Sequence, residues 1–171
     1  YGAHGMTYTY NEPIIFLEYA YDVGVEARKH GLFNTMVTNG YMTEEAIDVV
    51  VKFMDAATVD LKGHGDKEFA RKFSLVYDTE PIFNALVELK RKGVFIEITD
   101  LVVPKYGDDL DKARKLARWI VENLGPETPV HFLRFHPDYQ VMDLPSTPIK
   151  TLEKHIDVAI NEGLRHVYIG N

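Results

Sequence analysis

The chain has 171 residues, with 19 Lys and Arg against 26 Asp and Glu, a formal net charge of −7 and no cysteine. With 46% hydrophobic residues it can bury a core without staples, which excludes a disordered chain. The acid excess offers no basic footprint for nucleic acid, no apolar run reaches the length of a membrane span, and zero cysteine excludes disulfides, thiolate zinc sites and thiol nucleophiles.

Thr7–Tyr10 is prone to extended structure and ends at Asn11-Glu12-Pro13. A helix is expected from Pro13, tolerated in a first turn, to a stop at Gly31. Phe33–Thr38 is a strand that breaks at Asn39-Gly40. Thr43 is the next helix cap, with Glu44 and Glu45 near the positive end of the dipole and an apolar face of Ala46, Ile47, Val50, Val51 and Met54. Ala56–Leu61 is the third strand, and a short helix around Phe69 fits the Gly-rich stretch after it. Thr79 caps the helix that carries Ile82, Leu86 and Leu89 as far as Gly93. Val94–Val103 is a long strand. Leu110, Ala113, Leu116, Ala117, Ile120, Val121 and Leu124 keep helical spacing up to Gly125. Val130–Phe135 is the fifth strand, followed by a Pro-containing loop over His136–Pro148. Thr147-Pro148 caps a last helix with Ile149, Leu152, Ile156, Ala159 and Ile160 on one face, and His166–Ile169 is the final strand.

Six strands and five intervening helices alternate without a linker or a shift in composition. This is an α/β pattern, read as one domain over residues 1–171. Alternation with short connections implies parallel strands and right-handed crossovers, in a sheet that either closes towards a barrel or stays open. Ligands of both forms bind at the carboxyl ends of the strands.

Those ends are polar. Tyr10, Asn11 and Glu12 follow the first strand, Thr38 and Asn39 the second, and Asp60 and Lys62 the third. Glu97, Thr99 and Asp100 lie on the fourth, and His131, Arg134, His136 and Asp138 on or after the fifth. Each has a bland reading. Glu12 is a first-turn carboxylate, Asn39-Gly40 a turn, and Asp60 with Lys62 a strand-end ion pair on one face. Lone histidines are mostly structural, and His4, His30, His64, His155 and His166 are read as surface or packing residues. Convergence of five strand ends argues for a small-molecule or cofactor site. Glu12 can accept from an amine, Lys62 can pair a carboxylate, and Asn39 and His136 can bind hydroxyls.

The stretches TYTYNEP, MVTNGYMTEEA, AATVDLKGHGD, EITDLVVPKYGDD, VHFLRFHPDYQVMDLPSTP and HVYIGN, in this order, carry a resemblance. The chain resembles the radical S-adenosylmethionine superfamily, and more closely the AmmeMemoRadiSam-system radical enzymes, archaeal relatives of pyruvate formate-lyase-activating enzyme. The resemblance implies a partial (β/α) barrel of parallel strands with S-adenosylmethionine across the strand ends. The family's Gly-Gly-Glu-Pro stretch corresponds to Tyr10-Asn11-Glu12-Pro13, without the glycines, and its Asp-Thr-Asn-Gly stretch to Val37-Thr38-Asn39-Gly40, without the Asp. Asp60-Leu61-Lys62 is intact and falls at the methionyl or ribose end. His136 falls on the ribose side, and Val102-Val103-Pro104 on the strand that flanks adenine.

The family also holds a 4Fe–4S cluster with a Cys-x-x-x-Cys-x-x-Cys loop before its Glu-Pro strand end. This chain has no such loop, so the expectation is a fragment, the central and C-terminal part of the barrel, with the first strand and the cluster ligands upstream of Tyr1. The intact protein is then expected to cleave S-adenosylmethionine reductively to a 5′-deoxyadenosyl radical that abstracts hydrogen. A protein substrate and an electron donor are possible partners, the expected compartment is the cytoplasm, and nucleic acid and membrane are not expected. A missing first strand would leave an edge beside Thr7–Tyr10 able to pair two copies. Three alternatives remain: a Schiff-base aldolase-like barrel using Lys62 with Asp60 and Glu12, a metal hydrolase built from Glu97, His131, His136 and Asp138, and a non-enzymatic binder of S-adenosylmethionine or a nucleotide.

Overall fold

The computed structural model describes residues 2–171. Six strands run in the order β1 (Gly5–Tyr8), β2 (Phe33–Thr38), β3 (Ala56–Asp60), β4 (Phe95–Val102), β5 (Val130–Arg134) and β6 (Val167–Gly170) within one sheet. The helices are α1 (Leu17–Lys29), α2 (Glu44–Val50), α3 (Lys67–Phe73), α4 (Glu80–Arg91), α5 (Leu110–Asn123) and α6 (Ile149–Asn161). The chain forms two compact bodies. The first runs up to Asp60 and resumes over Glu80–Glu97; the second comprises Leu61–Thr79 and Ile98–Asn171.

In the first body β1 pairs in parallel with β2 from Gly5↔Phe33 to Tyr8↔Met36, and β2 with β3 from Thr35↔Ala56 to Thr38↔Val59. Tyr8, Met36, Ala57, Val59 and Ile96 are buried with Ile47, Val50, Phe53, Ile82, Leu86 and Leu89. The rings of Tyr8 and Tyr21 meet Phe53 edge-on, with centroids 5.9 and 5.7 Å away, a favoured aromatic geometry. Gly24 of α1 lies against the same ring, where a Cβ would stand 2.2 Å from Phe53 Cδ2. Asn34 closes a buried polar knot. It accepts from the Tyr8 hydroxyl at 3.0 Å and donates to the carbonyls of Gly24 and Phe53, each at 3.1 Å.

In the second body β4 pairs in parallel with β5 from Ile98↔Val130 to Val102↔Arg134, and β5 with β6 from Val130↔Val167 to Leu133↔Gly170. Ile98, Val102, Val130 and Phe132 are buried with Leu116, Ala117, Ile120, Leu152 and Ala159. The apolar stripe read for α5 is thus largely the buried one, whereas of the stripe read for α6 only Leu152 and Ala159 are buried and Ile149 and Ile160 are exposed. Asp109 caps α5, accepting from Asp111 N at 2.8 Å and Lys112 N at 3.2 Å, and Asp66 caps α3 through Phe69 N at 3.0 Å.

Strand parity shows which face the helices cover. Along β4, Ile96, Ile98, Asp100 and Val102 are buried while Glu97, Thr99 and Leu101 are half-buried. Strands β2 and β3 alternate in the same way. A doubly wound sheet buries both faces, whereas barrel-type units carry helices on one face only. The fold class is the expected one: parallel strands alternating with helices, of the partial (β/α) barrel type.

Element ends depart from the sequence reading where the backbone turns early. β1 is Gly5–Tyr8 rather than Thr7–Tyr10, because Tyr10 takes φ 38° and leaves the extended region. Pro13–Phe16 forms a 3-10 turn before α1, broken from it at Phe16 (φ −130°, ψ 37°). Thr43 does cap α2, accepting from Ala46 N at 3.3 Å, but α2 stops at Val50 rather than near Met54. Thr147-Pro148 does not cap α6 through a side chain. The Thr147 hydroxyl instead donates to Val102 O at 2.6 Å and accepts from Phe135 N at 3.0 Å, tying its loop to the ends of β4 and β5. Among the described residues, no helix is long and apolar enough to cross a membrane.

Candidate functional site

Two strand ends of the first body meet at Glu12. Its Oε1 accepts from the Thr38 hydroxyl at 2.5 Å and from Ile14 N at 3.4 Å, and its Oε2 accepts from Asn39 N at 2.8 Å. The carboxylate therefore both caps the Pro13–Phe16 turn and bridges the carboxyl ends of β1 and β2. Thr38 is buried; its hydroxyl oxygen also accepts from Gly40 N at 3.1 Å. The Asn39 side chain accepts from Tyr41 N at 2.8 Å. Tyr10 and Asn11 are exposed. Tyr10 has φ 38°, the left-handed region that glycine tolerates best, at a position where the resembling motif has a glycine. Of the expected site residues, the structure brings Glu12, Thr38 and Asn39 into direct contact. Asp60 ends β3 and is half-buried.

The strand reading that put Asp60 and Lys62 on one face does not reach Lys62, which lies in the second body. β3 ends at Asp60, and Lys62 takes φ 43°, ψ 123°, so strand alternation does not extend to it. Val103 is 3% exposed and sits in an apolar cluster with Phe69 and Leu144. Its backbone is used locally: Val103 N donates to Gly107 O at 3.2 Å, and its carbonyl accepts from Gly107 N at 2.7 Å. His136 is exposed beyond the end of β5. His131 stacks on Tyr168 of β6, with centroids 5.1 Å apart. Among the described residues, no three His, Cys, Asp or Glu side chains are grouped to hold a metal ion, so the hydrolase alternative gains no support.

The cluster that the sequence reading did not assemble lies in the second body, on the buried face. His64 donates its backbone N–H to Asp100 Oδ1 at 2.9 Å, and its Nδ1 meets Asp100 Oδ2 at 2.6 Å. Both side chains are fully buried. The His155 ring of α6 stacks on His64, with centroids 5.1 Å apart, and its Nδ1 donates to Thr151 O at 2.7 Å. Burial pulls the His64 imidazole down, but the Asp100 carboxylate outweighs it and holds His64 above its ordinary value. Burial likewise pushes Asp100 up, and the His64 charge and hydrogen bonds bring it below the usual carboxylate range. Burial keeps His155 below its ordinary value, and the His64 charge adds to that. Within one stack, the Asp100 carboxylate thus favours the charged form of His64, while burial favours the neutral form of His155. The signal available beforehand was parity, since Asp100 shares its strand face with Ile96, Ile98 and Val102.

The second body also holds a cavity of about 270 Å³ lined by Asp66, Lys72, Lys105, Tyr106, Asp108 and Lys112, among others. The ammonium of Lys72 lies 3.6 Å from the Tyr106 ring centroid, a cation–π contact. Hydrogen bonding to Lys72, with the charges of Lys105 and Lys72, lowers the Tyr106 phenol.

No protein-family model matches the chain. It is 43% identical over all 171 residues to the uncharacterized protein MJ0808 of Methanocaldococcus jannaschii, and it spans half the length of that curated relative. Among solved structures it resembles a domain of pyruvate-formate lyase-activating enzyme from Bacteroides vulgatus, with TM-score 0.83 at 19% identity, covering 99% of this chain and 100% of that one. It also resembles a radical SAM methyltransferase from Sphaerobacter thermophilus, with TM-score 0.77 at 13% identity, covering 98% of this chain and 50% of the other. A third likeness is to TYW1 with a lysine-pyruvate adduct bound, with TM-score 0.63 at 17% identity, covering 88% of this chain and 47% of the other. At these identities the likeness is one of architecture, and the chain has the α/β fold of these radical SAM structures.

Proposed function

We propose that the intact protein is a radical S-adenosylmethionine enzyme, activating-enzyme-like, and that this chain holds and orients S-adenosylmethionine. The observation that carries this reading is the Glu12–Thr38–Asn39 group at the ends of β1 and β2. A carboxylate is acceptor-only, with about four lone-pair sites. Protein donors occupy three of them, Thr38 Oγ1, Ile14 N and Asn39 N. Glu12 is therefore held rigid with acceptor capacity left for the methionyl ammonium. In this reading Tyr10 and Asn11 contribute backbone contacts and Asn39 its amide. Asp60, and in the second body Lys62, Val103 and His136, enter through the sequence resemblance alone.

The chain has no cysteine, so its residues do not fit an iron–sulfur cluster, which requires thiolates. Reductive cleavage, the electron donor and the substrate, a protein in the activating enzymes, belong to the intact protein. The work of this chain is binding and orientation.

Calorimetry on the intact protein tests the reading. S-adenosylmethionine should bind, and 5′-methylthioadenosine, which lacks the amino and carboxylate groups, should bind more weakly. Absence of S-adenosylmethionine binding at millimolar ligand refutes it.

A second reading keeps the fold and uses Lys62 as an imine-forming base. Its support is that one structure of this fold holds a lysine-pyruvate adduct. Borohydride reduction in the presence of pyruvate, followed by mass analysis, decides it: no adduct on Lys62 removes this reading.

A further inference from the structure

The segment after β3 has an unusual backbone. Lys62, Gly63, His64 and Gly65 have φ of 43°, 59°, 64° and 66°, four left-handed residues in succession. Residues with side chains avoid this region, and two of the four carry one. Within the run Gly65 N reaches Lys62 O only at a long 3.4 Å, and at its end Asp66 N donates to Gly63 O at 3.2 Å. Gly63 leaves no choice of residue, since a Cβ there would stand 2.4 Å from the Phe69 ring. A run of this kind persists only when its surroundings over-determine it.

The fastening is the fork on Asp100, described above, which takes both the backbone N–H and the ring of His64. The carboxylate is wholly buried, so nothing from solvent can replace His64. His155 covers one face of the His64 ring. Asp100 on β4 and His155 on α6 contact the imidazole, and the charges of Asp109 and Asp108 ahead of α5 also act on it.

We propose that His64 is a positioning residue for Lys62: clamped on Asp100, it holds the left-handed run that sets the backbone from which the Lys62 side chain leaves. Its bearing on cofactor binding rests on the reading of Lys62 given above; the clamp itself does not.

The test compares His64→Asn with His64→Gly in the intact protein. Both residues accept φ near 64°, but only Asn carries a side-chain donor for Asp100. Amide exchange at position 64, Gly65 and Asp66 should quicken about 10-fold or more in the Gly variant and stay within about 3-fold of wild type in the Asn variant. The Ile120 amide of α5, outside the run, should not change. Wild-type protection in the Gly variant, or equal loss in both, overturns the clamp. Should the Gly variant fail to fold because Asp100 is left without its ring partner, the double variant His64→Gly with Asp100→Ser, which removes both charged groups of the pair together, is compared in its place.

Affinity for S-adenosylmethionine should follow the same order, with Asn near wild type and Gly about 10-fold weaker. Equal affinities beside unequal exchange overturn the link to Lys62. If wild type binds no S-adenosylmethionine, the functional reading fails, and the exchange result still decides the clamp.

Discussion

Glu12 and Thr38, 26 residues apart in the chain, are joined by a 2.5 Å hydrogen bond from hydroxyl to carboxylate. The bond couples the turn after β1 to the end of β2 and fixes a carboxylate where strand-end ligands bind. Glu12→Gln keeps the shape and removes the charge. It should weaken S-adenosylmethionine binding about 10-fold, since charge-assisted hydrogen bonds are worth roughly twice neutral ones. Binding of 5′-methylthioadenosine should change little. Titration calorimetry of both ligands on both proteins checks this, and parallel losses would place Glu12 in the structure alone.

The buried pair of His64 and Asp100 should shape stability against pH. His64 is raised above its ordinary 6.5, so its contribution is complete below pH 6.5 and is lost as pH climbs through the raised value. Asp100 lies below its ordinary 3.8, so its contribution is complete above that value and is lost as pH falls through the lowered one. His155 is lowered, so it costs stability as pH drops below 6.5. The three together place the optimum of this cluster near pH 6.5. Asp100→Ala should remove about 3–5 kcal/mol by leaving a buried imidazole without its counter-charge. Denaturant titrations from pH 4 to 9 read both; a variant whose pH profile parallels wild type contradicts the assignment.

Asn34 is the hub of the first body, satisfying the Tyr8 hydroxyl and two carbonyls without solvent. Asn34→Leu keeps the branched shape and the number of heavy atoms and leaves Gly24 O and the Tyr8 hydroxyl without this partner. Stranded buried groups cost about 1–3 kcal/mol each, so a loss of about 3 kcal/mol is expected in urea unfolding. A loss under about 1 kcal/mol would show that water takes over the role.

Gly24→Ala pits propensity against packing. Ala gains up to about 1 kcal/mol in a helix interior. The added Cβ, however, meets the Phe53 ring at 2.2 Å, and Phe53 is completely buried. Overpacking costs typically about 1–3 kcal/mol, so net destabilisation of about 1–2 kcal/mol is expected. A thermal midpoint above wild type would mean that Phe53 can move aside.

Element order, helix faces and most helix stops were legible from the residues alone. These depend on short-range properties: apolar spacing along α5, the Thr43 cap, and glycine stops such as Gly93 and Gly163, which take φ 92° and 106°. The bonds of Glu12 to Thr38 and Asn39 were not legible, since they span 26 and 27 residues of chain. The left-handed run at Lys62–Gly65 was not, since strand alternation cannot foresee a backbone that turns through a region residues with side chains avoid. His64 was read as a surface or packing residue and Asp100 as one more strand-end polar group. Their contact spans 36 residues, and a charge is stable at a buried position only when a distant partner arrives. Local chemistry thus determined the strands, the helices and the polar strand ends; which polar groups are buried and paired was decided by tertiary packing, because desolvation and pairing depend on neighbours far away in the chain.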